Sequence, residues 1–354
     1  MATIGGRLID QGKSGCVFTP QLHCKYKKDE PKPVKGDKLI TKLIHETGAK
    51  LEYSIAMIIN DIPLSKNYFS VANSMCVPSK TQTEKDLPDC KPLEKSSINT
   101  FRLLSLTYAG VPIYRYKFSV NTFDMMGFFT HLIGAGALLT LFGVVHTDLH
   151  MANILVDQHT IPRIIDFNLA IIKNQVNMDD FTYGYGVQWS QEPPDSTLMN
   201  AVTHGYKPSN VISSIILKKP IMKKIRSMLS ITNETMIEQL EQFAATSTSI
   251  ISGDVLKWFN NYWRTIDSWA IGAILVELMS SFSLMSSFTP MIMKHKPQLM
   301  PLLRRMCAIN PNQRIDCVQA LYYLQPDHFI IRKYGKEWLE RRGSGDIGTA
   351  SGMA

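Results

Sequence analysis

Residues 144–170 read VVHTDLHMANILVDQHTIPRIIDFNLA, and this stretch decides the fold. Apolar Val144-Val145 run into His146-Thr147-Asp148-Leu149, and Asn153 follows Asp148 by five residues. Ile154-Leu155-Val156 has the composition of a short strand, and Asp157 to Thr160 that of a turn. Arg163-Ile164-Ile165 then reads as a second strand that ends at Asp166. Two short strands joined by a turn are expected to bring Asp148, Asn153 and Asp166 to one end. Three such oxygen-bearing groups suit a hard, octahedral cation such as Mg²⁺.

The apolar run before this stretch, Phe128 to Val145, is close in length to a membrane span. It carries Thr130, His131, Thr140 and three glycines, and it leads straight into His146 and Asp148. A buried core helix is therefore the expectation, with no membrane span. Elsewhere the pattern changes character along the chain. Residues 1–19 suggest a hairpin, 23–37 a charged loop, Leu39 to Ile44 a strand and Glu46 to Asn60 a helix. Residues 78–97 read as a polar surface insertion, and Phe101 to Thr107 as a buried strand broken by Ala109-Gly110-Val111-Pro112. Downstream, helix signals dominate at 121–143, about 210–245, 253–280, 298–308 and 316–324. The first part is thus strand-rich with one helix and the second mainly helical, with the joint near 108–112.

At HTDLHMAN the sequence resembles the protein kinases, whose catalytic loop is HxDLxxxN, and Asp166-Phe167-Asn168 stands where they have DFG. The resemblance implies that Asp148 orients the substrate hydroxyl and accepts its proton. It implies that Asn153 and Asp166 hold Mg²⁺ on the phosphates of ATP. The segment Ile9-Asp10-Gln11-Gly12-Lys13-Ser14-Gly15-Cys16-Val17 is similar to the GxGxxGxV loop over the phosphates, with Asp10 in place of the first glycine. Glycine belongs there because backbone must approach phosphate closely and turn tightly. Lys42, in Leu39-Ile40-Thr41-Lys42, stands where kinases have the lysine of V-A-I-K. A lysine inside an apolar strand needs a partner. Glu52, which shares a helical face with Ile55 and Ile59, is favoured over Glu46 for that role. Leu106 would be near the gatekeeper, and Thr107, Tyr108 and Ala109 would offer backbone to adenine.

Two more segments extend the resemblance from residue 8 to about 325. Asp267-Ser268-Trp269-Ala270-Ile271-Gly272 resembles the DxWxxG opening of a large buried helix, whose Asp braces the catalytic loop. Asn310-Pro311-Asn312-Gln313-Arg314-Ile315 resembles DPxxRI, whose Arg pairs with the Glu of A-P-E. Here Pro193-Pro194-Asp195 is the nearest match to that motif, so Arg314 would pair with Asp195. The implied fold is α+β and bilobal. Residues 1–110 would be a small antiparallel-sheet lobe with one helix, and 111–335 a larger helical lobe. Residues 336–354 would be a flexible tail.

Three departures shape the functional expectation. Thr147 replaces the Arg that binds an activation-loop phosphate in many kinases, so phosphorylation of Thr182, Tyr183 or Tyr185 is not expected to be required. His150 stands where serine/threonine kinases have a Lys, which also resembles the loop of aminoglycoside- and choline-type kinases. Asn168 replaces the Gly after Asp-Phe, at a place where Asn tolerates left-handed backbone. An insertion of about 196–260 holds Lys218-Lys219 and Lys223-Lys224-Ile225-Arg226 and reads as a solvated helical insert. Long inserts beside a sparse amino lobe look most like the divergent serine/threonine kinases of large DNA viruses, which implies host cytoplasm or the virion.

The composition is compatible with this and adds limits. The chain has 354 residues, 45% hydrophobic and 19% charged, which is globular rather than disordered. The net charge of +8 fits an acidic partner such as ATP without choosing among such partners, and gives no reason to expect nucleic acid. Six cysteines without a CxxC pair argue against a disulfide scaffold or a zinc ribbon and favour reduced thiols in a cytosolic or nuclear compartment. The expected activity is transfer of the γ-phosphoryl group of Mg²⁺-ATP to Ser or Thr of protein substrates. A small-molecule kinase and a nucleotide-binding pseudokinase scaffold are the alternatives. The sequence leaves the oligomeric state open.

Overall fold

Alternating apolar residues and tight turns near the amino terminus build an antiparallel sheet. Strands β1 (Arg7–Gln11), β2 (Gly15–Thr19), β3 (Leu39–His45), β4 (Ser74–Cys76) and β5 (Phe101–Thr107) lie in the order β1-β2-β3-β5-β4. The computed structural model describes residues 6–12, 15–31, 38–80, 82, 87, 89–94, 96–181 and 184–341. The chain is α+β, with this small antiparallel sheet in its amino-terminal part and helices in its carboxy-terminal part. It divides into two units. The first comprises Met1–Val111 with Leu155–Gln158 and Arg163–Asn168, and the second holds the remainder.

In the first unit, Gly12 N donates to Gly15 O at 2.9 Å and closes the β1–β2 hairpin. The central strand β3 pairs with β2 on one side and with β5 along its whole length on the other. Helix α1 (Glu46–Asn60) follows β3 without a loop. Its buried residues Ala49, Glu52, Ile55, Ala56 and Ile59 recur at helical spacing, so one stripe packs inward. A one-turn helix α2 (Ser65–Tyr68) leads on towards β4.

The cysteines correct the sequence expectation. Cys16 on β2 is bonded to Cys90, and Cys24 to Cys76 on β4, while Cys307 and Cys317 are buried free thiols. The bonded pairs lie 74 and 52 residues apart, so no local spacing announces them. Strand pairing brings them together: Lys25 N donates to Val77 O at 2.8 Å, which sets Cys24 beside Cys76. Both pairs sit within one apolar cluster with Phe18, Leu22, Leu43, Phe101 and Leu103.

The second unit is built on two helices buried almost all round. They are α3 (Met125–Leu141), capped by Asp124 accepting from Gly127 N at 2.9 Å, and α10 (Ile266–Ser283). Before α10 come α4 (Pro194–Thr203), α5 (Pro208–Lys218), α6 (Pro220–Leu229), α7 (Asn233–Thr246), α8 (Thr248–Ser252) and α9 (Val255–Tyr262). After it come α11 (Thr289–Met306), α12 (Cys317–Leu324) and α13 (Lys336–Arg341). Two glycines permit close helix approach. A Cβ on Gly136 would lie 2.6 Å from both Cys317 Sγ and Ile271 Cδ1, and one on Gly272 would lie 2.8 Å from Cys307 Sγ. The apolar run of α3 is thus interior, as expected. Val255–Ser283 is the one described helical run long and apolar enough to cross a bilayer, and 83% of its apolar window is buried inside the protein.

Two helix expectations are corrected. α11 begins at Thr289, well before 298, and contains Pro297 and Pro301. Burial of Ile292, Leu299, Met300 and Leu303 holds it against the local cost of those prolines. The run expected at 210–245 is three helices, broken at Lys219-Pro220 and at Ser230 to Thr232. It is also less solvated than expected, because Ile212, Ile215, Ile216, Met222, Ile225, Leu240 and Phe243 are fully buried. The tail beyond Arg341 lies outside the described residues.

The cysteine pairing is directly testable. Alkylation of the denatured, unreduced protein is expected to label two of the six cysteines, and all six after reduction. Peptide mapping should return Cys16–Cys90 and Cys24–Cys76; six labelled thiols without reductant would exclude both bonds.

Candidate functional site

The candidate site residues fall in both units. In the first, β3 offers Lys42, whose Nζ donates to Glu52 Oε1 at 2.9 Å, Glu52 Oε2 at 2.7 Å and Asp166 Oδ1 at 2.9 Å. The ten-residue separation of Lys42 and Glu52 is short but sufficient, because α1 starts directly after β3. Three residues back along a strand cover about 10 Å. Six along a helix cover about 9 Å. A helix folded back over its strand therefore sets the two side chains level. Glu52 is only 6% exposed. Burial pulls the Lys42 pKa down, but the carboxylates of Glu52 and Asp166 outweigh it and hold Lys42 above its ordinary value. Burial likewise raises Glu52, more than Lys42 lowers it. Glu46 lies elsewhere and pairs with Lys50 at 2.8 Å and Arg102 at 2.7 Å.

Val17 lies directly across from Lys42 on β2, and Leu104 directly across on β5, so all three share one face of the sheet. Ile9, Asp10 and Gln11 stand on β1, and Gly15, Cys16 and Val17 on β2, with Gly12 in the turn between. Lys13 and Ser14 lie outside the described residues. Asp10, at the expected first glycine, accepts from Gln11 N at 2.9 Å. Gly15 is demanded by the sheet itself, since a Cβ there would lie 2.4 Å from Leu43 O. Nothing lies within 4 Å of a Cβ placed on Gly12. Cys16 is withdrawn from the loop's surface by its disulfide.

At the far end of β5, Leu106 is half-buried and Tyr108 exposed. Thr107 O accepts from Ser70 Oγ at 2.9 Å and Tyr108 N donates to Lys38 O at 2.8 Å. These two backbone groups thus already have partners within the unit. The Lys38 ammonium rests 4.6 Å from the Tyr108 ring centre.

Asp166 adopts φ +65°, while Asn168 does not share the left-handed region, so the expected left-handed residue falls two positions earlier. Phe167 is buried and packs edge-on against Phe69, with ring centres 5.7 Å apart.

In the second unit, Asp148, His150 and Asn153 meet. Asn153 Nδ2 donates to Asp148 O at 2.9 Å and to Asp148 Oδ2 at 3.4 Å. His150 Nε2 lies 3.6 Å from Asp148 Oδ2, and its Nδ1 accepts from Ala152 N at 3.2 Å. Burial works to raise the Asp148 pKa, but His150, Gln191 and His146 outweigh it and hold the carboxyl below its ordinary range. At neutral pH Asp148 is therefore an acceptor.

The backbone before Asp148 is held by Asp267. Its Oδ2 accepts from His146 N at 2.7 Å and its Oδ1 from Thr147 N at 3.2 Å. Thr147 has φ +64°, a conformation that β-branched residues avoid and that costs about 1–3 kcal/mol. The Asp267 carboxylate and the bond from Thr147 Oγ1 to Leu169 O at 2.8 Å offset that strain. Burial raises the Asp267 pKa against the pull of His146 and these backbone donors.

Arg314 and Asp195 are both fully buried and paired at 2.7 Å, with Trp258 Nε1 donating to the other oxygen of Asp195 at 3.2 Å. The shorter Asp side chain thus reaches Arg314. The guanidinium also lies 5.3 Å from the Trp269 ring centre.

Two residues escaped the sequence reading. Gln191 Nε2 donates to Asp148 Oδ1 at 2.8 Å, and Lys219 Nζ donates to Trp189 O at 2.5 Å. Gln191 lies 43 positions from Asp148 and Lys219 lies 30 from Trp189, and neither belongs to a recognisable motif. The sequence holds no local signal for either.

Against known proteins, the chain matches no family model and no curated sequence.

The buried pair gives a stability test. Arg314→Met removes the ion-pair partner of buried Asp195 and leaves it the Trp258 Nε1 bond, and is expected to destabilise the protein by about 3–5 kcal/mol. Urea unfolding measures this; a loss under about 1 kcal/mol would show that Asp195 is not held by Arg314.

Proposed function

We propose that this chain is an ATP-dependent protein kinase that transfers the γ-phosphoryl group to Ser or Thr of protein substrates. The observation that carries the reading is the half-buried Lys42, bonded at once to a helix glutamate and to the Asp of Asp166-Phe167. A lysine so placed is a fixed cation for phosphate oxygens, and phosphoryl transfer asks mainly for positioning and charge stabilisation. Asp148, held ionised by its neighbours, supplies the second requirement, a base aimed by its own hydrogen bonds.

The reaction requires these two sets of residues to act on one nucleotide. The substrate hydroxyl oxygen forms a bond to the γ-phosphorus, the bond to the β-bridging oxygen breaks, ADP leaves, and the hydroxyl proton goes to Asp148. Lys42 would bind the α- and β-phosphates. Asn153 and Asp166 offer the hard oxygens that Mg²⁺ prefers, and the Asn153 Nδ2 bonds to Asp148 orient its amide so that the oxygen is the atom left for a cation. Mg²⁺, when bound, would neutralise charge on the phosphates. Residues Ile9 to Val17 would cover them.

His150 favours one competing reading, a small-molecule kinase, because that loop pattern also fits aminoglycoside- and choline-type enzymes. The buried Asp267 brace and the Arg314–Asp195 pair support the protein kinase. The deciding assay offers γ-labelled ATP with casein, aminoglycosides and choline. Label is expected in casein alone, and Asp148→Ala and Lys42→Met are each expected to lower transfer by about a thousandfold or more with the fold retained by circular dichroism. Label only in a small molecule, or full transfer by the Asp148 variant, would overturn the assignment.

Activation is predicted to need no loop phosphate. Thr147 occupies the position of the phosphate-binding Arg and bonds Leu169 O instead. Thr182 and Tyr183 lie outside the described residues, while Tyr185 packs on Tyr206 with ring centres 5.1 Å apart. Phosphatase-treated enzyme is expected to keep its turnover; loss of turnover on treatment would refute this.

A further inference from the structure

Among the described residues, Lys219 is the one lysine buried to 1% exposure, and nothing in the reaction proposed above uses it. It belongs to the insertion, between α5 and α6, where Pro220 follows. A residue before proline is kept out of the helical region. Lys219 accordingly takes φ −64° and ψ 124°, ends α5, and turns its side chain from a helix surface into the interior. Its neighbours in the run, Lys218 and Lys223, stay at the surface.

Burying an ammonium is costly, and burial pushes the Lys219 pKa down to about 8 despite Glu192 and Asp195 nearby. Each residue of the stretch 189–192 is in turn held from a different place. Trp189 O accepts from Lys219 Nζ. Ser190 O accepts from Trp269 Nε1 at 3.4 Å. Glu192 accepts from Ser196 Oγ at 3.1 Å and Thr197 Oγ1 at 2.7 Å. The remaining residue, Gln191, is thereby aimed at Asp148, to which it donates. Glu192 and Asp195 lie near enough to act electrostatically on Lys219, and Asp195 is paired with Arg314. Burial raises the Glu192 pKa, more than Lys219, Thr197 and Ser196 lower it.

We propose that Lys219 is a positioning residue for phosphoryl transfer: delivered by the insertion, it clamps the Trp189 carbonyl and so sets Gln191 against Asp148. This rests on the kinase reading and gives the insertion a role in the chemistry. Lys219 touches neither nucleotide nor substrate in this scheme; it acts through Gln191.

The test is a double-mutant cycle on kcat with the full-length protein. Gln191→Ala and Lys219→Met are each expected to lower kcat about tenfold or more, with KM for ATP unchanged within about twofold. Because both act through one hydrogen bond on Asp148, the double variant should be no slower than the slower single variant. Wild-type kcat in Lys219→Met, or losses that multiply in the double variant, would overturn the proposal. If Lys219→Met does not fold, the cycle is run with Lys219→Gln, which keeps a donor but loses the charge, and the same non-additivity is expected. A wild-type protein that transfers no phosphoryl group sinks the kinase reading instead. The clamp is then judged by amide exchange of residues 190–192, expected to quicken about tenfold or more in the Lys219 variant and overturned if it does not.

Discussion

A charge taken out of water must be met by an opposite charge or by hydrogen bonds, and this constraint governs the placement of the buried charges among the described residues. Lys42 is met by two carboxylates in the first unit. In the second, Asp267 is met by two backbone N–H groups, Arg314 by Asp195, and Lys219 by a carbonyl and two nearby carboxylates. Each of these groups is costly alone, so each fixes the segment that supplies its partner. The backbone at His146–Thr147 is the clearest case. There the Asp267 carboxylate takes two backbone donors, and Thr147 Oγ1 bonds Leu169 O, around a left-handed threonine.

The constraint also explains why the sheet tolerates polar residues at its centre. Lys42 sits in a strand whose neighbours Thr41, Leu43 and Ile44 are buried, and Leu22 N donates to Thr41 Oγ1 at 3.0 Å. The rest of the first unit is held by ordinary burial and by two disulfides that link β2 and β4 to segments distant in sequence. In the second unit, Gly136 on α3 lets Ile271 of α10 and Cys317 of α12 come within reach of its backbone, and Gly272 on α10 does the same for Cys307 and Met306.

Much of this was legible from the residues. β5 and α1 occupy the ranges read from the residues, because each carries a strong apolar pattern. Glu52 shares a helical face with Ile55 and Ile59, which distinguishes it from Glu46 in the sequence, and the same face is buried. The Asp195–Arg314 pair followed from motif order, and a 2.7 Å contact joins them. The misses share a cause. Four cysteines pair across 52 and 74 residues, Pro297 and Pro301 sit inside a helix, and Lys219 in a basic run is interior rather than solvated. In each case tertiary contacts overrode a local signal.

The sequence alone determined which side chains are present at chemically meaningful spacings: Asp148 with Asn153, Asp166 with Phe167, Lys42 in an apolar strand. Spacing is local, so it survives in a linear reading. Only the tertiary structure decided which partner each charge finds. Lys42 with Glu52 depends on α1 folding back over β3, and Gln191 with Asp148 depends on a stretch clamped by Lys219 and Trp269. Such contacts join residues tens of positions apart, and the cost of an unpaired buried charge is felt only once the chain has closed around it.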